Sequence, residues 1–138
     1  MDVVVAAVHS GFKQSKEKVT GRIIKACNNK YVNIIAHPTG RLWGAREPYE
    51  IDMEEVIKAA KETSTALEIN SFPQRLDLND TNCRMAKELG VKLAINTDAH
   101  IADQLDMMRF GVSVARRGWL EKKDILNVLP YDKLKSEL

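Results

Sequence analysis

The segment ALEINSFPQRLDLNDTNCRMAKELGVKLAINTDAH, residues 66–100, joins two short apolar runs through a stretch with helical periodicity. The runs ALEI (66–69) and KLAI (92–95) are short and aliphatic, as buried strands of a parallel sheet are. The stretch between them predicts a helix, whose start, buried face and end are Asn79 or Asp80, then Cys83, Ala86 and Leu89, and then Gly90. Strand, helix and strand in this order predict one βα unit and the strand that follows it.

The same alternation continues along the rest of the chain. VVVAAV (3–8) and VNIIA (32–36) are two further predicted strands, and the four runs begin roughly 26 to 34 residues apart, the length of one βα unit. FGVSVA (110–115) is predicted to be a fifth strand. A second helix is predicted to begin at Ser15, to place Val19, Ile23 and Cys27 on one face, and to end at Asn28 and Asn29. A third is predicted to begin at Asp52, with Glu55 at capping-box spacing. Weaker or shorter helices are predicted at 105–108, 121–129 and 132–138. The pattern predicts an α/β chain of four to five parallel βα units.

Length and composition limit both the architecture and the class of protein. The chain has 138 residues and 15.6 kDa, which predicts a single domain over residues 1–138. A closed (β/α)8 barrel takes about 250 residues, so a complete one does not fit. The net charge of +2 is too balanced to indicate nucleic-acid binding by itself.

Three features of the sequence bear on localisation. No apolar run reaches the length that would span a membrane, and the N-terminal stretch has no basic region of the kind that opens a signal peptide. The two cysteines, Cys27 and Cys83, form no CxxC motif and fall on helix faces, where we interpret them as core residues. These features predict a cytoplasmic protein without membrane contact.

Side-chain alternation places the polar residues of the four strands on one face. The residues that share this face are Val3, Val5, Ala7 and His9, then Asn33, Ile35 and His37, then Ala66, Glu68 and Asn70, then Ala94, Asn96, Asp98 and His100. All three histidines and Asp98 fall at the carboxyl ends of strands, where parallel α/β folds bind ligands. A single buried histidine is usually a hydrogen-bonded core residue, but three at the same edge favour a metal or catalytic site.

The residue types narrow the chemistry of this edge. Imidazole and carboxylate together suit zinc, manganese or iron better than magnesium or calcium. The chain has no glycine-rich phosphate loop of the GxGxxG or Walker A kind and no GxSxG nucleophile elbow. Candidate phosphate-binding residues near the same edge are Lys13, Arg41, Asn70 and Arg109. The basic cluster around Trp119 (Arg116, Arg117, Lys122 and Lys123) is interpreted as a solvated surface.

Five segments carry a resemblance to a known family. They are AAVHSGF (6–12), IIAHPTGRL (34–42), LEINSFPQRLDL (67–78), LAINTDAH (93–100) and MRFGVSVARRGWLEKKDILN (108–127). In this order they resemble the C-terminal portion of the PHP (polymerase and histidinol phosphatase) domain found in bacterial and archaeal family X DNA polymerases. The resemblance runs over essentially the whole chain and favours the polymerase-linked branch over stand-alone histidinol phosphatases.

The resemblance implies a fold, an activity and a set of ligands. The family fold is a distorted (β/α)7 TIM-like barrel, of which this chain would be a part, with a trinuclear zinc or manganese centre that hydrolyses phosphoesters such as a DNA 3′ end. Carried over by position, His9 and His37 would bind one ion together, Asp98 a second and His100 a third. The family's earlier ligands, among them an HxH pair, have no counterpart in this sequence. We therefore expect an incomplete metal centre and weak or no activity from the isolated chain.

Three functions remain open at this point. The first is a metal-dependent phosphoesterase module with the 3′–5′ exonuclease and phosphatase chemistry of family X polymerases, or of a stand-alone phosphatase of the histidinol-phosphatase type. The second is a non-catalytic structural or docking half-domain. The third is a metallohydrolase of the amidohydrolase kind, against which the lack of an HxH pair counts.

The first predicted strand also bears on association. Lys, Pro and bulges, which commonly protect sheet edges, are not found in the run 3–8. In a half-barrel monomer, the apolar residues Val3, Val5 and Ile35 would face solvent, which would forfeit several kcal/mol of burial. We therefore expect the chain to pair with the missing N-terminal part of the barrel or with a second copy of itself as a homo-oligomer.

Overall fold

A four-stranded parallel sheet lies at the centre of the computed structural model, which describes residues 2–137 and leaves Met1 and Leu138 outside. The strands, in the spatial order β1-β2-β3-β4, are β1 (Val5–Ala6), β2 (Ile34–Ile35), β3 (Ala66–Asn70) and β4 (Leu93–Asn96). Each strand pairs in parallel with the next one in the chain. The α/β class is thus confirmed, and the sequential order is compatible with part of a TIM-like barrel.

Five α-helices alternate with or follow the strands. They are α1 (Lys16–Cys27), α2 (Met53–Thr63), α3 (Asp80–Leu89), α4 (Met108–Arg117) and α5 (Tyr131–Glu137). The predicted caps are confirmed: the Asp52 carboxylate accepts the Glu55 N–H, and the Asn79 side chain accepts the Asn82 N–H. Gly90 ends α3 in the left-handed conformation that glycine adopts at low cost. Ser15 and Asn28 flank α1 as predicted, although the Ser15 side chain makes no capping hydrogen bond. The predicted burial of Leu89 is wrong, since α3 buries Cys83 and Ala86 and leaves Leu89 39% exposed at its end.

The predicted fifth strand, residues 110–115, is wrong because these residues lie inside α4. Gly111 and Ala115 are buried one helical turn apart, so the apolar residues follow a helical period. A Cβ at position 111 would collide with the side chains of Ser71 and Ile95, which explains the close packing of α4 on the sheet. A 3₁₀ helix (Ala102–Met107) precedes α4 where the helix at 105–108 was predicted. An apolar run of six residues cannot by itself distinguish a strand from a helix.

The C-terminal segment covers the outer edge of β4. Two 3₁₀ turns, Lys122–Asp124 and Leu126–Val128, stand where helical structure was predicted over 121–129. The Asn127 amide accepts the Ile95 N–H at 3.0 Å and donates to the Ile95 carbonyl at 2.6 Å. This side chain therefore satisfies backbone groups that an open sheet edge would leave exposed. α5 occupies the predicted helix 132–138 except for Leu138, which lies outside the described residues.

Two apolar clusters lie on opposite faces of the sheet. The main core includes Val19, Ile23, Ile35, Val56, Ile57, Leu67, Ile69, Cys83, Leu93 and Ile95. The second cluster, on the other face, contains Ile34, Ala66, Ala94 and Leu126, with Val3 and Leu134 packed against it. Both cysteines are free and buried, as expected for core residues. Within residues 2–137, no helix is both long enough and apolar enough to cross a membrane.

The face assigned to Ile35 from the sequence is wrong. Ile34 pairs with Ala66 and Ile35 pairs with Leu67, so Ile34 shares the polar face while Ile35 packs under the helices. The backbone of His37 is left-handed, with φ of 32°, and this turn breaks the alternation just after β2. Ile35 is therefore buried, whereas Val5 is 49% exposed, as expected for the first strand.

Candidate active site

His9 and His37 meet beyond the carboxyl ends of β1 and β2. Their ring centroids are 5.7 Å apart and the rings are nearly perpendicular. His9 is exposed, whereas His37 is buried. The Nδ1 atom of His37 has no hydrogen-bond partner within residues 2–137, although buried polar atoms usually have one. The two rings thus form a pair in which one buried nitrogen is left for a ligand.

The charge state of His37 suits a ligand role. Burial, reinforced by the positive charge of Arg75, lowers the pKa of His37 to about 4. The imidazole is therefore neutral near pH 7 and retains a nitrogen lone pair, which is the form that binds metal ions. An unpartnered Nδ1 and a neutral ring together fit a divalent cation of the zinc or manganese type.

Glu68 links three strands beneath the histidines. Its buried carboxylate accepts the backbone N–H of His37 at 2.7 Å, the Asn96 amide at 3.1 Å and the Asn70 amide at 3.2 Å. Burial raises the pKa of Glu68, while these three hydrogen bonds oppose the shift. The carboxylate thereby holds the left-handed turn at His37 against β3 and β4.

Asp98 and His100 lie at the end of β4 but differ from the histidine pair. The Asp98 carboxylate accepts hydrogen bonds from Arg75 at 3.0 Å and from Asn70 at 3.3 Å, both to Oδ2. His100 is exposed, and its ring Nδ1 lies 2.8 Å from the Asp98 carbonyl. The backbone N–H of His100 donates to the Gln104 side-chain oxygen. Both predicted ligands are thus engaged with atoms of the chain itself.

The loop after His37 is held by Asp77. The Oδ2 atom of Asp77 accepts the N–H groups of Thr39 at 2.9 Å and Gly40 at 3.0 Å. Gly40 has φ of +62°, and a Cβ there would collide with the ring of Tyr49. Burial raises the pKa of Asp77 to about 6. This buried carboxylate thus satisfies the Thr39 N–H and shares the Gly40 N–H with the His37 carbonyl, 2.9 Å away.

Two arginines connect the loop after His37 to the end of β4: Arg41 binds the segment that carries Arg75, and Arg75 binds Asp98. The Arg41 guanidinium donates to the carbonyls of Arg75 and Leu76 and stacks on Trp43, 4.6 Å from the ring centroid. Arg41 therefore clamps the segment that carries Arg75, and Arg75 reaches Asp98 with a side chain only 16% exposed. The Nη1 atom of Arg75 is buried without a hydrogen-bond partner in the described chain.

The remaining predicted phosphate ligands lie further out or are already bonded. Lys13 is exposed in the loop between β1 and α1, and Arg109 is exposed in the first turn of α4, stacked on Phe110. Across residues 2–137, no hydrogen bond or ion pair joins either cation to the four predicted metal ligands. Asn70 instead bridges Glu68 and Asp98 with its amide group.

The donor set of this part of the chain is small. In the described region, no three His, Cys, Asp or Glu side chains converge as a group that could hold a metal ion. The structure brings His9 and His37 together as a pair and keeps Asp98 and His100 at the end of a different strand.

Sequence reasoning missed Glu68, Arg75 and Asp77 as members of this site. Glu68 carries the only signal that was available, a carboxylate in the middle of an otherwise buried strand and on the same face as Asn70. Arg75 and Asp77 lie in the loop after β3, and only the folded chain brings them to the His37 turn and Asp98.

The chain is similar in sequence to a DNA polymerase/exonuclease and to several probable phosphatases. It is 51% identical over 127 residues to the DNA polymerase/3′-5′ exonuclease PolX of Bacillus subtilis, an alignment that covers 92% of the chain and 22% of that protein. It is 35% identical over 136 residues to a probable phosphatase of Thermoanaerobacter sp., covering 92% of the chain and 53% of the relative. A probable phosphatase of Shewanella halifaxensis is 31% identical, with 94% and 53% covered.

These alignments also define how much of each relative is represented. The chain spans about half the length of the probable phosphatases and about a fifth of PolX, whose C-terminal part it matches. No family model matches the chain. The 51% identity to the C-terminal part of PolX and the similarity to the probable phosphatases confirm the resemblance drawn from the motifs and are consistent with a PHP-like domain.

Proposed function

We propose that the chain is part of a metal-dependent phosphoesterase that acts on phosphodiester or phosphomonoester bonds. The observation that carries this proposal is the buried, unpartnered Nδ1 of His37 beside the ring of His9, at the carboxyl edge of a parallel sheet. The names of the relatives, an exonuclease and several probable phosphatases, support the same class of reaction.

The proposed ligands are His9 and His37 for one ion, Asp98 for a second and His100 for a third. Zinc and manganese match this set of imidazole and carboxylate donors. A bound ion of this kind lowers the pKa of its water and polarises the phosphoester oxygen. The remaining ligands of a trinuclear centre would come from outside these residues.

The surrounding side chains position the ligands and bind phosphate in this proposal. Glu68 holds the His37 turn, and Asn70 holds the Asp98 carboxylate. Asp98 would hold a cation, and Arg75, whose buried Nη1 atom has no hydrogen-bond partner within residues 2–137, would donate to a phosphate oxygen. Lys13, Arg41 and Arg109 would contribute positive charge further from the scissile bond.

Two substrate classes follow from the two kinds of relative. A DNA 3′ end is the proposed substrate, because the PolX relative carries the name of a 3′-5′ exonuclease at 51% identity. A small phosphoester, hydrolysed by a stand-alone phosphatase of the histidinol-phosphatase type, is the second candidate, supported by the probable phosphatases at 35% identity. Release of nucleotides from single-stranded DNA, compared with release of phosphate from a small monoester under the same conditions, distinguishes them.

The test of the reaction compares the chain with a version that is extended at its N-terminus. The isolated chain and a hybrid extended at its N-terminus by the preceding PolX residues are assayed on bis(p-nitrophenyl) phosphate with manganese. We expect faster hydrolysis by the hybrid, because ion coordination and water activation both need more ligands than this chain supplies. Replacing His37 by Ala in the hybrid should abolish the gain. Equal rates for the chain and the hybrid would contradict the proposal.

We further propose that the β1 edge is covered by another part of the barrel or by a second copy of the chain. Val5 is 49% exposed on this outermost strand, whereas the opposite edge at β4 is covered by the Asn127 segment. Sedimentation at low micromolar concentration should show a dimer or larger species. A single monomeric species with a cooperative thermal transition would contradict this association.

A further inference from the structure

Trp43 stands exposed at the tip of a tight turn beside the candidate active site. The turn is closed by the hydrogen bonds of Leu42 and Arg46, which pair in an antiparallel bridge. Trp43 itself is 58% exposed, although an exposed tryptophan forfeits much of the burial that stabilises a fold. Tryptophan, with its large flat ring, is enriched at binding interfaces.

Hydrogen bonds to backbone carbonyls attach the turn that carries Trp43 to the active-site loop. The backbone N–H of Trp43 donates to the Gln74 carbonyl at 2.7 Å, and the Arg46 side chain donates to the Gly40 carbonyl at 2.8 Å. Gln74 directly precedes Arg75, whose guanidinium bonds Asp98. Trp43 is therefore anchored to the same segment that presents Arg75 to the proposed metal ligands.

One part of the indole surface is already occupied by a cation. The Arg41 guanidinium lies 4.6 Å from the ring centroid. Its Nε atom donates to the Arg75 carbonyl and its Nη2 atom to the Leu76 carbonyl. Such a stacked guanidinium keeps the ring in place and adds positive charge next to it. Because Trp43 is more than half exposed, the indole still offers open surface for a second flat group.

We propose that Trp43, backed by Arg41, is a stacking platform for an unpaired base of single-stranded DNA whose phosphate lies at the active site. The inference deepens the proposed function and rests on it for the phosphoester class of the substrate. An aromatic side chain next to guanidinium groups fits a nucleotide, which presents a flat base beside a negative phosphate. A small phosphoester without a base would gain nothing from this indole.

The chain contains a matched control for this platform. Trp119 is also exposed, at 66%, and also has a guanidinium over its ring, that of Arg84 at 4.4 Å. Its carbonyl is held by Lys87 of α3, so it lies on the helical layer and not on the active-site loop. If any exposed Trp–Arg pair captured DNA, both tryptophans would contribute equally to binding.

Binding is measured by fluorescence anisotropy with two labelled thymidine pentanucleotides, one intact and one with an abasic 3′-terminal residue. We expect the wild-type chain to bind the intact strand about tenfold more tightly, equivalent to roughly 1.4 kcal/mol. Trp43→Leu should lose this preference, Trp43→Phe should retain most of it, and Trp119→Leu should leave it unchanged. In Trp119→Phe, where Trp43 is the sole tryptophan, the intact strand should quench the fluorescence.

Equal affinity for the two strands in the wild-type chain, or an unchanged preference in a folded Trp43→Leu variant, would overturn the inference. Circular dichroism establishes that the variants fold, and if Trp43→Leu does not fold, the comparison of the intact and abasic strands in the wild-type chain still tests the inference. Hydrolysis of the same strands with manganese is measured separately on the hybrid. Base-dependent binding without hydrolysis would contradict the proposed reaction alone, whereas hydrolysis without any base preference would contradict the platform alone.

Discussion

The two halves of the carboxyl edge treat their predicted ligands differently. At β1 and β2, the rings of His9 and His37 approach each other, and His37 keeps a buried nitrogen without a partner. At β4, Asp98 is bonded to Arg75 and Asn70, and His100 is bonded through the Asp98 carbonyl. The first half is prepared for a ligand, while the second must first give up bonds within the chain. Affinity for an added cation should therefore differ between the halves.

The largest expected effect is on cation binding by the histidine pair. Replacing His9 and His37 together by Ala should abolish zinc binding measured by calorimetry, a loss of at least about 100-fold, because both imidazole donors are removed. His100→Ala serves as the control and should change the affinity far less, since the exposed ring is engaged elsewhere. Unchanged zinc binding by the double variant would refute the pairing.

The next effect concerns the turn that presents His37. Gly40→Ala should destabilise the chain by about 4 kcal/mol, because the substitution adds a left-handed backbone penalty to a collision with the Tyr49 ring. Gly44 has φ of +76° and open space around it, so Gly44→Ala should cost only about 1 kcal/mol. Urea unfolding measures both values. Equal costs at the two glycines would show that the Tyr49 contact does not restrain the turn.

The buried carboxylate behind the same turn gives a pH dependence. Because the pKa of Asp77 is raised from 3.8 to about 6, the folded chain holds this proton more tightly than the unfolded chain does. Its contribution to the free energy of unfolding therefore decreases as the pH rises from about 4 to about 6, by on the order of 3 kcal/mol. Asp77→Asn should flatten this decrease in urea unfolding across the same pH range.

Asp52→Asn is the matched control for Asp77. The Lys16 ion pair and the N-terminal amides of α2 lower the pKa of Asp52, so its contribution is lost as the pH falls and has the opposite sign. The variant keeps a helix-capping side chain and removes only the charge. A pH profile that is the same in wild type and Asp77→Asn would contradict the assignment to Asp77.

The smallest expected effect comes from the ion pair that occupies the second half. Arg75→Gln should destabilise the chain by about 2 kcal/mol, because it removes a largely buried partner of Asp98. Lys58→Ala breaks an exposed pair with Glu54 and should change stability by less than about 0.5 kcal/mol. If both variants unfold at the same urea concentration as wild type, Arg75 is not the group that holds Asp98.

Much of the fold was predictable because its signals are local. Helix α3 begins and ends where Asn79 and Gly90 predict, since capping depends on a few neighbouring residues. The predicted strand at 110–115 is part of α4, because a run of six residues is too short to distinguish a strand from a helix. The position of the histidines after strands follows from the order of residues along the chain, but the face of Ile35 does not, because the left-handed turn at His37 interrupts the alternation.

The sequence by itself determined the order of the four strands and the helices between them, the caps at Asp52 and Asn79, the relationship to PolX and the residue types at the carboxyl edge. These follow from periodicity, local hydrogen bonding and linear motifs. Only the tertiary structure decided which of those residues keep a polar atom without a hydrogen-bond partner. The Nδ1 atom of His37 has no partner within residues 2–137, whereas the Asp98 carboxylate accepts a hydrogen bond from Arg75, which lies in a different loop. Such pairings join residues that are distant in the chain, so they are set by packing and not by local pattern.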